Sequence, residues 1–92
     1  MTFTAVLECL VTEETGYRLF LKEIEPKDEE MPAFMQGVIL NARLDQVAEA
    51  DILVLEPGVR LEVDLVAQPI MTMSLPPQIP GNSILAIHLA EA

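Results

Sequence analysis

Apolar and polar side chains alternate at the start of the chain, which is the pattern of a β-strand. One face would carry Phe3, Ala5, Leu7, Cys9 and Val11. A polar turn over residues 12–16 follows, and we expect Gly16 to supply a positive φ there. Residues 17–24 then return as the second strand of a hairpin, with Leu19 and Leu21 on the face of Tyr17.

The alternation stops between residues 25 and 35, in a segment whose first half is acidic and whose second half is apolar. Its large apolar residues are Met31, Phe34 and Met35. These three side chains either pack onto the core or stand out as a binding tip. We favour packing, because large apolar side chains in loops more often anchor the loop.

Residues 36–43 suit a buried third strand, in which Gly37 permits a bulge or a close backbone approach. The spacing then becomes helical and predicts one or two helical turns over residues 44–50, with Asp45 near the N-terminus. Residues 51–55 favour a strand that ends at the turn Glu56-Pro57-Gly58.

Residues 59–66 form the clearest predicted strand, because apolar and charged side chains alternate without interruption. Val59, Leu61, Val63 and Leu65 would face the core, and Arg60, Glu62 and Asp64 would face water. Residues 83–89 are mostly apolar on both faces, which is typical of a strand that is covered on both sides or lies at an interface.

These elements predict a mainly β fold in one domain over residues 1–92. We expect a small antiparallel barrel or strongly bent sheet of five or six strands, with one short helix. The element order is like that of an oligonucleotide/oligosaccharide-binding barrel, a likeness at the level of the fold that says nothing about a ligand. The alternative is an open antiparallel sheet that dimerises through an edge or an apolar face.

The most unusual segment is residues 70–81, which place large apolar side chains among three prolines. Proline cannot donate a backbone hydrogen bond, so an ordinary interior strand or helix is excluded here. The segment is either a lid over the core, with Ile70, Met73 and Ile79 as plugs, or a docking surface. The predicted interaction surface consists of Ile70, Met71, Met73, Leu75, Pro76, Pro77, Ile79, Met31, Phe34 and Met35.

Composition and charge narrow the class of partner. Fifteen acidic residues against five Lys and Arg give a net charge of −10, which repels nucleic acid and anionic lipid and attracts basic protein surfaces. Apolar residues make up 51% of the 92, which is high for so small a domain and suggests that another chain covers part of the surface. The single Cys9 is expected to be a small buried hydrophobe, and a cytoplasmic protein is the default.

Candidate chemistry is sparse. The acidic run from Glu23 to Glu30 lacks the ligand spacing of a calcium loop, so we expect no metal and no other cofactor. His88, the single histidine, is expected to be a structural residue that is either packed or half-exposed, and Glu62 with Asp64 to be surface charge. We therefore expect no enzymatic activity.

The sequence predicts a non-catalytic protein-interaction module, a homo-oligomer or a small subunit of a larger assembly. The alternative function is a binding protein for a small apolar or amphiphilic ligand held in the barrel mouth.

Overall fold

The structure is a computed structural model that describes residues 2–27, 37–47, 55–67, 70–72 and 77–90. Six strands are present in these residues, and together they form one sheet. They are β1 (Thr2–Glu13), β2 (Gly16–Pro26), β3 (Val38–Arg43), β4 (Arg60–Leu65), β5 (Gln78–Pro80) and β6 (Ile84–Leu89). Two single 3₁₀ turns, Leu44–Gln46 and Gly81–Ser83, follow β3 and β5.

The strands lie in the order β5-β3-β2-β1-β4-β6. Neighbouring strands are antiparallel except β3 and β5, which are parallel. The prediction of a mainly β, strongly bent sheet is confirmed, because the sheet curls into a half-barrel. The sheet is mixed rather than purely antiparallel, since β5 crosses from β4 to the far edge and a crossover connection allows parallel pairing.

The core fills the concave side of this sheet. The alternating apolar face predicted for residues 59–66 is confirmed, with Leu61, Val63 and Leu65 buried. Leu19 and Leu21 of β2 are also buried, and Tyr17 packs against the same cluster. The other large side chains that are fully buried are Phe3, Leu7, Val38, Leu40 and Ile79.

A β-bulge interrupts the alternation of β1 after Leu7. Leu7 pairs with Leu21 and Cys9 pairs with Phe20, so Glu8 is an extra residue on β1. An extra residue exchanges the two faces of the strand from that point on. Cys9 and Val11 are therefore exposed, and Leu10 packs against the core instead. The expectation that Cys9 is buried was wrong for this reason.

A second irregularity lies between β1 and β2, where residues 23 and 24 stand opposite Ala5. Glu23 takes a φ of 51° at this point, in the left-handed region. Single residues in this conformation are typical of bulges. The result is a sharper bend of the hairpin.

Gly16 does not have the role that the sequence suggested. The hairpin turn is formed by Glu14 and Thr15, and Gly16 is the first residue of β2 without a positive φ. A Cβ at Gly16 would collide with the backbone carbonyl oxygen of Ala42 on β3. Glycine is thus required there for a close approach of two strands. Gly37, with φ 110° and an ideal Cβ position 2.5 Å from the carbonyl oxygen of Leu21, confirms the predicted close approach.

The turn before β4 is confirmed. The amide of Val59 donates to the carbonyl oxygen of Glu56 at 3.1 Å, and Gly58 has a φ of 101°. Proline followed by a residue with positive φ is the pattern of a type II turn.

The predicted helix over residues 44–50 is only the 3₁₀ turn Leu44–Gln46. Val47 is already extended, with φ −118° and ψ 127°, and it forms a parallel bridge with Ile87. Residues 48–50 and the predicted strand over 51–54 lie outside the described residues.

Candidate functional site

The proline segment divides between core and surface. Ile79 is completely buried in β5, so it plugs the core and has no surface to offer a partner. Pro77 is half-buried, and its carbonyl oxygen accepts a hydrogen bond from the amide of Ile39 at 2.9 Å. Met71 is half-buried and packs against the core, whereas Ile70 is exposed. The lid interpretation therefore holds for Ile79, and Ile70 is available for contact.

The stem of this segment is hydrogen-bonded. The amide of Thr72 donates to the carbonyl oxygen of Gln78 at 2.9 Å, and the amide of Gln78 donates to the hydroxyl oxygen of Thr72 at 3.0 Å. The two bonds hold residues 72 and 78 together. The predicted contact residues Met73, Leu75 and Pro76, together with Met31, Phe34 and Met35, lie outside the described residues.

Three exposed apolar side chains lie on segments that meet at one end of the half-barrel. Leu85 is 63% exposed, Ile70 59% and Leu44 51%. We call these three residues the apolar end. The sequence prediction named Ile70, and it described residues 83–89, which include Leu85, as a strand that is covered on both sides or lies at an interface. It did not name Leu44 as a contact residue.

The side chain of Gln46 joins two of the segments at the apolar end. This side chain is buried, and its Nε2 donates to the carbonyl oxygens of Gly81 at 2.7 Å and Ile84 at 2.8 Å. Its Oε1 accepts from the amide of Arg43 at 2.8 Å. The turn that carries Leu44 is thereby fixed against the start of β6.

The third segment of the apolar end is attached through Ser83. The buried hydroxyl oxygen of Ser83 accepts from the amide of Ile70 at 2.9 Å. Leu85, two residues later, is an extra residue of β6, because Ile84 pairs with Leu65 and Ala86 pairs with Asp64. A bulged residue is turned away from the ladder, which explains why so large an apolar side chain is exposed within a strand.

A polar cluster lies on the convex face, where β4 and β6 are adjacent. Lys27 Nζ donates to Glu62 Oε1 at 2.8 Å, and His88 Nε2 lies 3.3 Å from Glu62 Oε2. The hydrogen bond from Lys27 lowers the pKa of Glu62 below its ordinary value, and His88 acts in the same direction against the opposing effect of partial burial. Glu62 is therefore the bridging carboxylate of three segments rather than idle surface charge. His88 is half-exposed, which is one of the two states that the sequence left open.

Two hollows in the described part of the surface are lined mainly by polar and charged side chains. One, of about 390 Å³, is lined by Thr4, Lys27, Arg60, Glu62 and residues 88–90. The other, of about 320 Å³, is lined by residues 13, 15–18, 41–43, 81 and 82. Both contain paired charges, since Lys27 Nζ lies 2.8 Å from Glu62 Oε1 in the first hollow and Arg18 Nε lies 3.3 Å from Glu13 Oε1 in the second. Within the described part of the chain, no group of three or more acidic, His or Cys side chains is arranged to hold a metal ion.

Comparison with known proteins yields no relative: no family model, curated protein or solved structure matches the chain. Among the described residues, no helix is long and apolar enough to span a membrane.

Proposed function

We propose that the chain is a non-catalytic protein-interaction module that self-associates through the apolar end, either as a homo-oligomer or within a larger assembly of which it is a small subunit. The observation that carries the proposal is the exposure of Leu44, Ile70 and Leu85 on three segments that Gln46 and Ser83 hold together. A surface held in place loses little conformational entropy when it docks.

Association through the apolar end would remove the exposed surface of these three side chains from water. Complete burial of a Leu or Ile side chain contributes about 1.5–3 kcal/mol, so three half-exposed side chains offer several kcal/mol to an interface. Aliphatic residues that are exposed together are a feature of interaction surfaces more than of free surfaces. The acidic charge of the chain opposes association at low ionic strength, and salt screens this repulsion.

The test is the solution mass of the protein by light scattering over a range of concentrations. We expect the wild type to have a multiple of the chain mass of 10.1 kDa and Leu85→Glu to be monomeric with unchanged circular dichroism. Val11→Glu is the matched control, because Val11 is also exposed but lies on β1 near the hairpin turn. It should keep the wild-type mass.

Two results would contradict self-association through this surface. One is a wild type that stays monomeric at every concentration. The other is an oligomer that Leu85→Glu leaves intact and Val11→Glu dissociates.

The alternative function, binding of a small apolar ligand, has less support. The two hollows found in the described residues are lined mainly by charged and polar side chains, whereas pockets for apolar ligands are lined mainly by hydrophobic ones. No specific observation favours this alternative.

A further inference from the structure

Among the described residues, the half of β1 nearest the hairpin turn has an open edge. β4 pairs only with residues 2–6 of β1, and the last backbone bonds on that side join Leu7 to Gly58 and Val59. In the part of the chain that the structure describes, no strand pairs with residues 8–13 on the side opposite to β2.

The register of the hairpin shows which backbone groups point outward. Glu13 and Gly16 pair across a two-residue turn, so these two residues must exchange their backbone hydrogen bonds with each other. In an antiparallel ladder every second pair is hydrogen-bonded, so the backbone groups of Val11 and Cys9 also bond to β2, as far as the bulge at Glu8. The amides and carbonyls of Leu10 and Thr12 consequently point away from β2, toward the open edge. Such unpaired groups are a template for another strand.

The charge around this edge is acidic. Glu8, Glu13 and Glu14 lie on β1 or its turn, and Glu56 lies in the turn beside Leu7. Arg18, opposite Val11 on β2, is already paired with Glu13. Two copies of this edge would bring their acidic side chains together, which disfavours pairing of the chain with itself here. A strand that carries Lys or Arg residues would instead be attracted to this edge.

We propose that the edge of β1 over residues 8–13 binds an extended basic segment of another protein by β-strand addition. The backbone groups of Leu10 and Thr12 pair with the incoming strand. Exposed Cys9 and Val11 on the convex face contact its apolar side chains, and the surrounding glutamates pair with its Lys or Arg residues. This surface is separate from the apolar end and takes a different partner.

The probe is a short, capped, fluorescently labelled peptide that alternates Lys and Val. Its binding is followed by fluorescence anisotropy at moderate salt. A second peptide has Glu in place of each Lys, and a third has Pro in place of each Val. The third keeps the charge but cannot pair as a strand. We expect both control peptides to bind at least about tenfold more weakly than the first.

Hydrogen exchange locates the site. The amides of Leu10 and Thr12 should exchange quickly in the free protein and become protected when the Lys-Val peptide is bound, because each then donates to the added strand. Amides of Cys9 and Val11, which point to β2, are the internal reference and should be protected in both states.

Two variants separate backbone pairing from charge. Thr12→Pro removes an outward amide while it leaves the ladder to β2 in place, and it should weaken binding by about tenfold with an unchanged circular dichroism spectrum. Glu14→Lys should weaken binding, whereas Glu23→Lys, with the same change in net charge on β2, should have a smaller effect.

The proposal is overturned if the Pro-containing peptide binds as tightly as the Lys-Val peptide, since the binding would then be adsorption by charge alone. It is also overturned if the amides of Leu10 and Thr12 are protected in the free protein. Light scattering tests only self-association through the apolar end, and peptide binding and hydrogen exchange test only the edge of β1. Either proposal can therefore be wrong while the other is right.

Discussion

At the scale of single residues, steric contacts with the backbone decide the roles of the glycines. Gly16 and Gly37 both lie where the main chain of a neighbouring strand leaves no space for a side chain, and Gly58 lies in open space with a positive φ. The sequence shows only that all three residues are next to turns or strand ends. Whether a glycine is needed for its φ or for its missing Cβ depends on the neighbouring strand.

Gly16→Ala should therefore be much more costly than Gly58→Ala. The added methyl group at position 16 meets the carbonyl of Ala42, which is part of the sheet and cannot move alone. We expect a loss of about 3 kcal/mol or more in the free energy of unfolding. At position 58 only the left-handed backbone is unfavourable, which costs about 1–2 kcal/mol. Urea denaturation of both variants tests the order, and equal losses would contradict it.

At the scale of elements, the bulges and the polar cluster determine what each strand exposes. The bulge at Glu8 exposes Cys9 and Val11, and the one at Leu85 exposes that side chain. On the convex face, Glu62 of β4 connects Lys27, just after β2, with His88 of β6. This carboxylate thus joins strands that are not neighbours in sequence, and its ionisation should affect the stability of the sheet.

The pH dependence of stability follows from the direction of the Glu62 shift. Because its pKa is lower in the folded protein, the ionised carboxylate contributes stability at pH values above its ordinary pKa of 4.5. This contribution is lost as the pH falls through the lowered pKa.

Glu62→Gln should therefore be less stable than the wild type near pH 6, and the difference should shrink as the pH falls from about 5 to 3. Urea midpoints measured at several pH values give this difference. Glu8→Gln is the control, since Glu8 is exposed and its substitution removes the same negative charge at another position. A difference that does not depend on pH would show that Glu62 does not act through its charge.

At the scale of the whole molecule, the curvature of the sheet brings distant segments together. The residues just after β3 meet β6, through the bridge between Val47 and Ile87 and through the side chain of Gln46. Gln46 is one of the two buried polar or charged residues found in the described part of the chain, and both of its amide atoms are hydrogen-bonded. Where the sheet would otherwise be open, the half-barrel is thus held by the backbone bridge between Val47 and Ile87 and by the side chain of Gln46.

Gln46→Met tests this contact. Methionine has a similar length but removes the side-chain partner of the Ile84 carbonyl oxygen and of the Arg43 amide, whereas the carbonyl oxygen of Gly81 keeps the backbone amide of Ile84. We expect a loss of about 2–4 kcal/mol in the free energy of unfolding. Gln78→Met is the matched control, since half-buried Gln78 accepts one side-chain bond from Asn41 at 3.2 Å, and it should cost about 1 kcal/mol or less. Similar losses in both variants would contradict a special role for Gln46.

Much of the local structure was predictable, because it depends on residues that are close together in the sequence. The hairpin, the turn at Pro57 and Gly58 and the buried face of β4 follow from side-chain alternation and from turn residues. The net charge of −10 also follows from the sequence alone, and it produces a field that attracts basic surfaces and repels acidic ones. That the chain is an interaction module, and which surface it uses, remain predictions.

Tertiary structure decided the rest, because the relevant contacts join residues far apart in the chain. Alternation alone cannot show a bulge, so Cys9 was expected to be inside and is outside. The proline segment had two open interpretations, and the parallel pairing with β3 places Ile79 of this segment in the core. The sequence determined which side chains are apolar and where the chain turns, and only the folded sheet decided which of these side chains remain exposed together.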